Sequence, residues 1–309
     1  MTTRFYAKAA FGLIPACMLA ATATAMPPFG DWAPPANLES LPSSSPAINT
    51  PAVDGCASLS PDGLAIAYNS NRAGSQDIYV ATRSDTSTGF GTPQRLPAPV
   101  NLTSADEFCP TIARGHRLYF SSTRTGDIGN LYVTRLGPNG WSHPTSLGPN
   151  INTSRMEESA TFFEDERGRE VMLFSRRSAD GSGGDIFQSV DGGPPTLVGG
   201  GPDSSASDNR PSITHDGKTI FFDSTRFGTL GGPDLWYASR TSTSEPFGTA
   251  IHLLAQSSPA FDARANLSWD GTTLTYSSAR AGSESAAPDI WYSTRGKATG
   301  HQGDSSTAR

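Results

Sequence analysis

A unit of about fifty residues recurs five times along this 309-residue chain, each copy opening on an acidic residue: Asp54, Glu107, Glu157, Asp208 and Asp262. The intervals between these acids are 53, 50, 51 and 54 residues, the period range of propeller blades and solenoid units. A unit of that kind cannot bury its apolar face alone and must stack on its neighbours.

Each copy reads as three strands. The acid leads into a short segment with alternating small apolar residues, such as Ala57 and Leu59 or Pro211 and Ile213. A turn follows, clearest where Asp62-Gly63, Asp216-Gly217 and Asp270-Gly271 supply two-residue hairpin signals. The second strand, as in Leu118-Tyr119-Phe120, ends in Ser-x-Arg, and a Gly-rich loop leads to a third strand opened by Ile78-Tyr79, Leu131-Tyr132, Ile186-Phe187, Leu235-Trp236 or Ile290-Trp291.

A fourth strand lies between copies, marked by Leu96, Leu147, Leu197 and Leu253. After the fifth copy it is missing, because the chain runs into a polar tail over 296–309. It stands instead before the first copy: WAPPANL from Trp32 to Leu38 matches WSHPTSL from Trp141 to Leu147. An open solenoid would show polar caps, whereas a displaced strand closes a ring and removes an exposed sheet edge. The expected fold is therefore all-β: a five-bladed β-propeller over 26–295, with four-stranded antiparallel blades and an N-terminal closing strand near 32–38. The 32 Gly and 24 Pro residues belong to such turns and argue against a helical bundle.

The recurring acid, the SPDG-type turn, the S-x-R-x-G segment and the D-I-W/Y strand start resemble the WD-like repeats of the TolB-type bacterial propellers. The resemblance spans roughly Trp32 to Arg295 and implies an envelope or secreted setting. TolB itself resembles a six-bladed propeller with an added N-terminal α/β domain, so five copies without that domain argue against the TolB role. Residues 1–25 read as an export signal: Arg4 and Lys8 precede an apolar run from Ala9 to Ala21, and Ala23-Thr24-Ala25 offers a cleavage site. A periplasmic or secreted product is expected; the faint lipobox at Ile14-Pro15-Ala16-Cys17 makes a lipoprotein the weaker alternative. No segment has the length of a transmembrane span. A formal charge of -6 gives no general attraction to nucleic acid or an anionic membrane.

In a four-stranded meander, the start of the first strand and the loop between the second and third strands lie on one face. Asp54, Glu107, Glu157, Asp208 and Asp262 are thus expected to ring the channel there, as a site for a ligand or a cation such as calcium, which favours several oxygen donors. The competing reading is structural. Arg72, Arg124, Arg177, Arg226 and Arg280 end the second strands, and Asp77, Asp185, Asp234 and Asp289 open third strands; an arginine fork can bridge two such carboxylates. Two residues after the acid, symmetry breaks into Cys56, Cys109, Ser159, Arg210 and Arg264. Cys56 and Cys109 are a disulfide candidate in an oxidising compartment, or two small buried thiols. Arg210 and Arg264 could hold a carboxylate or sulfated sugar, or neutralise the acids.

Catalytic motifs are absent: there is no H-E-x-x-H, C-x-x-C, G-x-S-x-G or phosphate-binding G-K-S/T segment. One enzyme reading survives, glycoside hydrolysis by Asp54, Glu107 and Glu157, weakened because equivalent repeat positions offer no division between acid and base. The preferred expectation is a non-enzymatic binding or scaffold propeller without a cofactor, whose partner is a protein, an envelope polymer or a carbohydrate. Trp269 and His215 fall at hairpin turns on the opposite face and are poor partners for the acid site.

Overall fold

A computed structural model describes residues 29–297; residues 1–25, where an export signal is expected, and most of the polar tail lie outside them. The described residues fold into five antiparallel sheets. The closing strand β1 (Ala36–Asn37) comes first. Blade 1 follows as β2 (Asp54–Leu59), β3 (Ala65–Ser70), β4 (Asp77–Thr82) and β5 (Gln94–Arg95). Blade 2 comprises β6 (Glu107–Ala113), β7 (Arg117–Ser122), β8 (Asn130–Gly137), the short β9 (Gly140–Trp141) and β10 (Thr145–Ser146). Blade 3 is β11 (Glu157–Glu164), β12 (Glu170–Arg177), β13 (Gly184–Val190) and β14 (Thr196–Leu197). Blade 4 is β15 (Asp208–Ile213), β16 (Thr219–Ser224), β17 (Asp234–Ser239) and β18 (Ile251–His252). Blade 5 is β19 (Asp262–Leu267), β20 (Thr273–Ser278) and β21 (Asp289–Thr294), completed by β1. All five inner strands begin at the repeated acid, and the molecule is a five-bladed propeller.

The hairpins joining first and second strands follow from their sequence. In Ser60-Pro61-Asp62-Gly63, the Asp62 carboxylate accepts from the Ser60 hydroxyl (2.5 Å) and from the backbone of Leu64 (3.0 Å), while Gly63 takes φ +71°, a conformation that penalises residues with a Cβ.

Five apolar clusters hold the ring, one between each pair of adjacent blades. Ala67, Ile78 and Leu118 pack blade 1 on blade 2, and Tyr119, Phe174 and Ala160 pack blade 2 on blade 3. Ile186 and Phe222 pack blade 3 on blade 4, Phe221 and Tyr276 pack blade 4 on blade 5, and Ile290 with Leu38 packs blade 5 on Tyr68 of blade 1. Each blade is thus unable to satisfy its core without two neighbours.

Closure depends on the N-terminal segment. Ala36 and Asn37 pair with Tyr292 and Trp291. Trp32 meets Phe221 edge to face at 6.2 Å, and the Arg295 guanidinium lies 4.0 Å and 4.3 Å from the Phe29 and Trp32 rings. The seam differs from blades 1 and 4 in one respect. Opposite Tyr79 stands Arg95, which pairs with Asp77 at 2.7 Å, and opposite Trp236 stands His252, 2.9 Å from Asp234. Opposite Trp291 stands Asn37, which reaches Asp289 with only a 3.4 Å amide contact. Burial, with Asp54, Glu284 and Glu39 nearby, pushes the Asp289 carboxyl up to about 6.

Candidate binding site

The central axis has two ends: an acid end, where the inner strands start, and a hairpin end, where they finish. At the acid end every repeated carboxylate is fully buried and already engaged. Asp54, Asp208 and Asp262 accept from Arg72 (2.5 Å), Arg226 (2.6 Å) and Arg280 (2.6 Å). Glu107 takes Arg124 at 3.2 Å, and Glu157 takes the Arg176 Nε at 2.8 Å. A hydroxyl closes each arrangement from four residues upstream in four blades: Thr50 on Asp54 (2.7 Å), Thr153 on Glu157 (2.6 Å), Ser204 on Asp208 (2.6 Å) and Ser258 on Asp262 (2.6 Å). Glu107 instead receives the Leu102 backbone N–H (2.9 Å) and the Ser122 hydroxyl (2.7 Å).

Each of these arginines also lies between two aromatic rings, one from the second strand and one from the third. Arg124 is 5.0 Å from both Phe120 and Tyr132, and Arg280 is 5.3 Å from Tyr276 and 5.2 Å from Trp291. The acid, arginine and aromatic pair form one unit repeated around the ring. Calcium would have to displace these donors, and among the described residues no group of three or more His, Cys, Asp or Glu is arranged to hold a metal ion.

Two details depart from the sequence reading. In blade 3 the arginine on Glu157 is Arg176, because Glu157 sits opposite Arg176 in the ladder; Arg177 turns to Glu158 at 3.4 Å. The arginines also do not bridge to the third-strand aspartates. Asp77 and Asp234 find Arg95 and His252 on the outer strands instead.

Deeper along the axis, Cys56, Cys109, Ser159, Arg210 and Arg264 all take left-handed backbone angles, with φ of 53°, 46°, 60°, 49° and 63°. None is glycine, so each conformation costs about 1–2 kcal/mol. In four blades a side chain of the preceding blade accepts the N–H of that residue: Ser277 for Cys56 (3.0 Å), Asn69 for Cys109 (3.1 Å), Ser175 for Arg210 (2.5 Å) and Asp223 for Arg264 (2.9 Å). These inter-blade bonds offset the strain, and the ladder slips at each bulge.

The bulge residues nearly close the channel. Cys56 and Cys109 are joined through sulfurs 2.09 Å apart. Across from them Arg210 pairs with Asp223 (2.9 Å) and Glu158 (3.3 Å). Burial alone would raise the Glu158 carboxyl, but Arg210, Arg177 and Arg264 outweigh it and hold it below its ordinary range. For Asp223 burial prevails and the carboxyl is raised. Burial, reinforced by Arg210, brings Arg264 down to about 10. The space left among these residues is ≈ 20 Å³, about the room for one water.

The hairpin end is open. A well of ≈ 190 Å³ is bounded by all five inner strands. Four residues after each acid stands a small polar side chain, and these five, Ser58, Thr111, Thr161, Ser212 and Asn266, all line the well. Phe162, tilted against Tyr119 at 4.4 Å, forms one wall. At the rim the Trp269 ring lies 4.1 Å from His215 and 4.2 Å from the Arg114 guanidinium. Arg114 belongs to blade 2 and Trp269 to blade 5, which are not neighbours, so this contact spans the mouth. Trp269 and His215 do lie opposite the acids, and there they border the larger of the two axial spaces. The polar ring had one sequence signal, its fixed offset from the repeated acid.

The sequence matches no protein-family model and no curated protein. Solved structures do share the fold. The GH43 endo-arabinanase from Bacillus licheniformis aligns with a TM-score of 0.55 at 11% identity, over 81% of this chain and 94% of that one. The α-L-arabinofuranosidase from Podospora anserina, solved with cellotriose, gives 0.54 at 12% identity over 87% and 98%. A putative TolB from Agrobacterium tumefaciens gives 0.47 at 19% identity over 75% and 72%. At these identities the likeness is one of fold.

Proposed function

We propose that this chain is an exported, non-enzymatic propeller of the bacterial envelope that binds a protein, an envelope polymer or a carbohydrate on its central axis. One observation carries the reading: all five repeated carboxylates are buried against their own arginines. Glycoside hydrolysis needs one carboxyl placed to donate a proton and a second to act as base or nucleophile, both within reach of the sugar. Burial raises the Glu107 carboxyl, but Asp54, Glu107 and Glu157 are all 0% exposed and each is closed by its own arginine, so none is placed to reach a sugar. Two of the solved structures with this fold are glycan-cleaving enzymes by name, but a fold hosts many chemistries and the site decides. The export part of the reading rests on residues 1–25, and the likeness to TolB-type repeats supports the envelope setting.

Incubation of the purified chain with arabinan, arabinoxylan and cello-oligosaccharides tests this. No release of reducing ends is expected. Turnover that disappears in a folded Glu107→Gln or Glu157→Gln variant would replace this reading with the glycosidase.

A further inference from the structure

We propose that the hairpin-end well is a site for a neutral carbohydrate, seating one sugar ring with its hydroxyls on the floor formed by Ser58, Thr111, Thr161, Ser212 and Asn266. The inference rests on the binding reading above and assigns it a place and a ligand class.

The floor is built to exchange hydrogen bonds with something that enters. The side chains of Thr111, Thr161 and Asn266 line the well and make no hydrogen bond to another described residue, whereas side chains at the acid end are densely bonded. Ser58 and Ser212 accept from the backbones of Ile112 (3.2 Å) and Leu267 (2.9 Å), which leaves their own protons to donate. The floor therefore presents several donors and acceptors and no formal charge. A phosphate or carboxylate would find no cation among these five side chains. Arg114 and Arg117 also line the well, but Arg117 is matched by Glu170 at 3.5 Å, Arg114 lies on the Trp269 ring, and Glu164 and Glu170 add negative charge beside them, so the lining as a whole does not select an anion. A ring of hydroxyls matches the floor group for group.

The walls and size narrow the class. Phe162 and Leu267 supply apolar surface beside the polar floor, the combination a sugar ring needs because its C–H faces are apolar and its edge is hydroxylated. A volume of ≈ 190 Å³ lies below the roughly 300–1,000 Å³ of sites for drug-sized ligands. At ~30 Å³ per water it corresponds to about six waters. One ring fits inside, and the rest of a longer glycan would leave past the Arg114–Trp269–His215 stack at the mouth.

The test is a microarray of neutral and acidic oligosaccharides probed with the wild-type chain and three variants, with thermal melts to confirm folding. Thr111→Val with Thr161→Val removes two floor hydroxyls at nearly constant shape. Trp269→Ala opens the rim, and Phe108→Ala alters the acid end, where Phe108 follows Glu107 and its ring lies beside Gly129. The expected result is binding of neutral glycans through a terminal residue, weakened about tenfold to thirtyfold by the double valine variant, weakened by Trp269→Ala and unchanged by Phe108→Ala. Absence of glycan binding, binding confined to acidic glycans, or neutral-glycan binding indifferent to the valine pair overturns the assignment. Binding lost only in Phe108→Ala also overturns it and leaves the binding-propeller reading intact. Cleavage of a bound glycan would instead remove that broader reading.

Discussion

The two ends of the central axis are made from the same five strands and differ in what their polar side chains are doing. At the acid end, each carboxylate meets an arginine, most also meet an upstream hydroxyl, and the arginines are flanked by aromatic rings. Four residues further along the same strands, three of the five polar side chains have no hydrogen-bond partner among the described residues. Both rings repeat with the blades, so repetition by itself does not distinguish a structural element from a binding surface. Engagement does: a buried group already matched in charge and hydrogen bonds has little left to offer a ligand, and one facing an open well still does.

The largest effect that can break this contrast is at the acid end. Asp262→Ala should leave Arg280, whose side chain is 12% exposed, without its countercharge, costing about 3–5 kcal/mol in equilibrium denaturation. Replacing Asp262 and Arg280 together should cost less than the sum of the single changes, because the pair acts as a unit. Next, Cys56→Ser with Cys109→Ser opens a covalent loop of sequence separation 53. The chain-entropy relation gives about 4 kcal/mol as an upper value and 2–4 kcal/mol as the usual range. A loss confined to oxidising conditions, read by melts with and without reductant, would assign it to the disulfide.

The seam sharpens the comparison through pH. Asp289 has its folded carboxyl raised from 3.8 to about 6, so the native state holds this proton more tightly than the unfolded chain. This group therefore favours folding as pH falls from above 6 towards 4, by at most about 3 kcal/mol, and disfavours it at neutral pH. Asp289→Asn should remove that slope from a stability profile over pH 4–7. Asn37→Arg, which copies the placement of Arg95 beside Asp77, should raise the denaturation midpoint at pH 7 and lower the Asp289 pKa. A midpoint unchanged by both variants would mean that Asp289 is not strained by its neighbours. The smallest stability effect belongs to the hairpin end. Thr161→Val and Trp269→Ala should each shift stability by about 1 kcal/mol or less, measured by the same denaturation, because their side chains face the well.

The five-bladed ring was legible in the sequence because its determinants are local and repeated: an acid at each inner strand start, Asp-Gly hairpins and a displaced outer strand before the first copy. The partner of Glu157 was harder to see. Ser175-Arg176-Arg177 satisfies the Ser-x-Arg pattern with Arg177, and only the ladder register puts Arg176 beside the acid. The left-handed bulges have no local signal because Cys, Ser and Arg carry no preference for positive φ; in four of the five, a hydrogen bond to a side chain of the preceding blade holds them there. The polar floor has an equally faint signal. Ser and Thr are common residues, and their convergence on one well depends on how five strands are arranged around an axis, which no single repeat encodes. Charges mark the acid end in the sequence, whereas Trp269 and His215 sit in hairpin turns, and only the fold brings those turns to the mouth of the well.

Denaturation and glycan binding measured side by side on Asp262→Asn and Thr111→Val/Thr161→Val test the division between the two ends most directly. The account predicts that Asp262→Asn loses several kcal/mol of stability while its folded fraction binds as the wild type does, and that the valine pair keeps its stability and loses binding. The reverse pattern, a stable Asp262→Asn that no longer binds and a valine pair that binds normally, would contradict it.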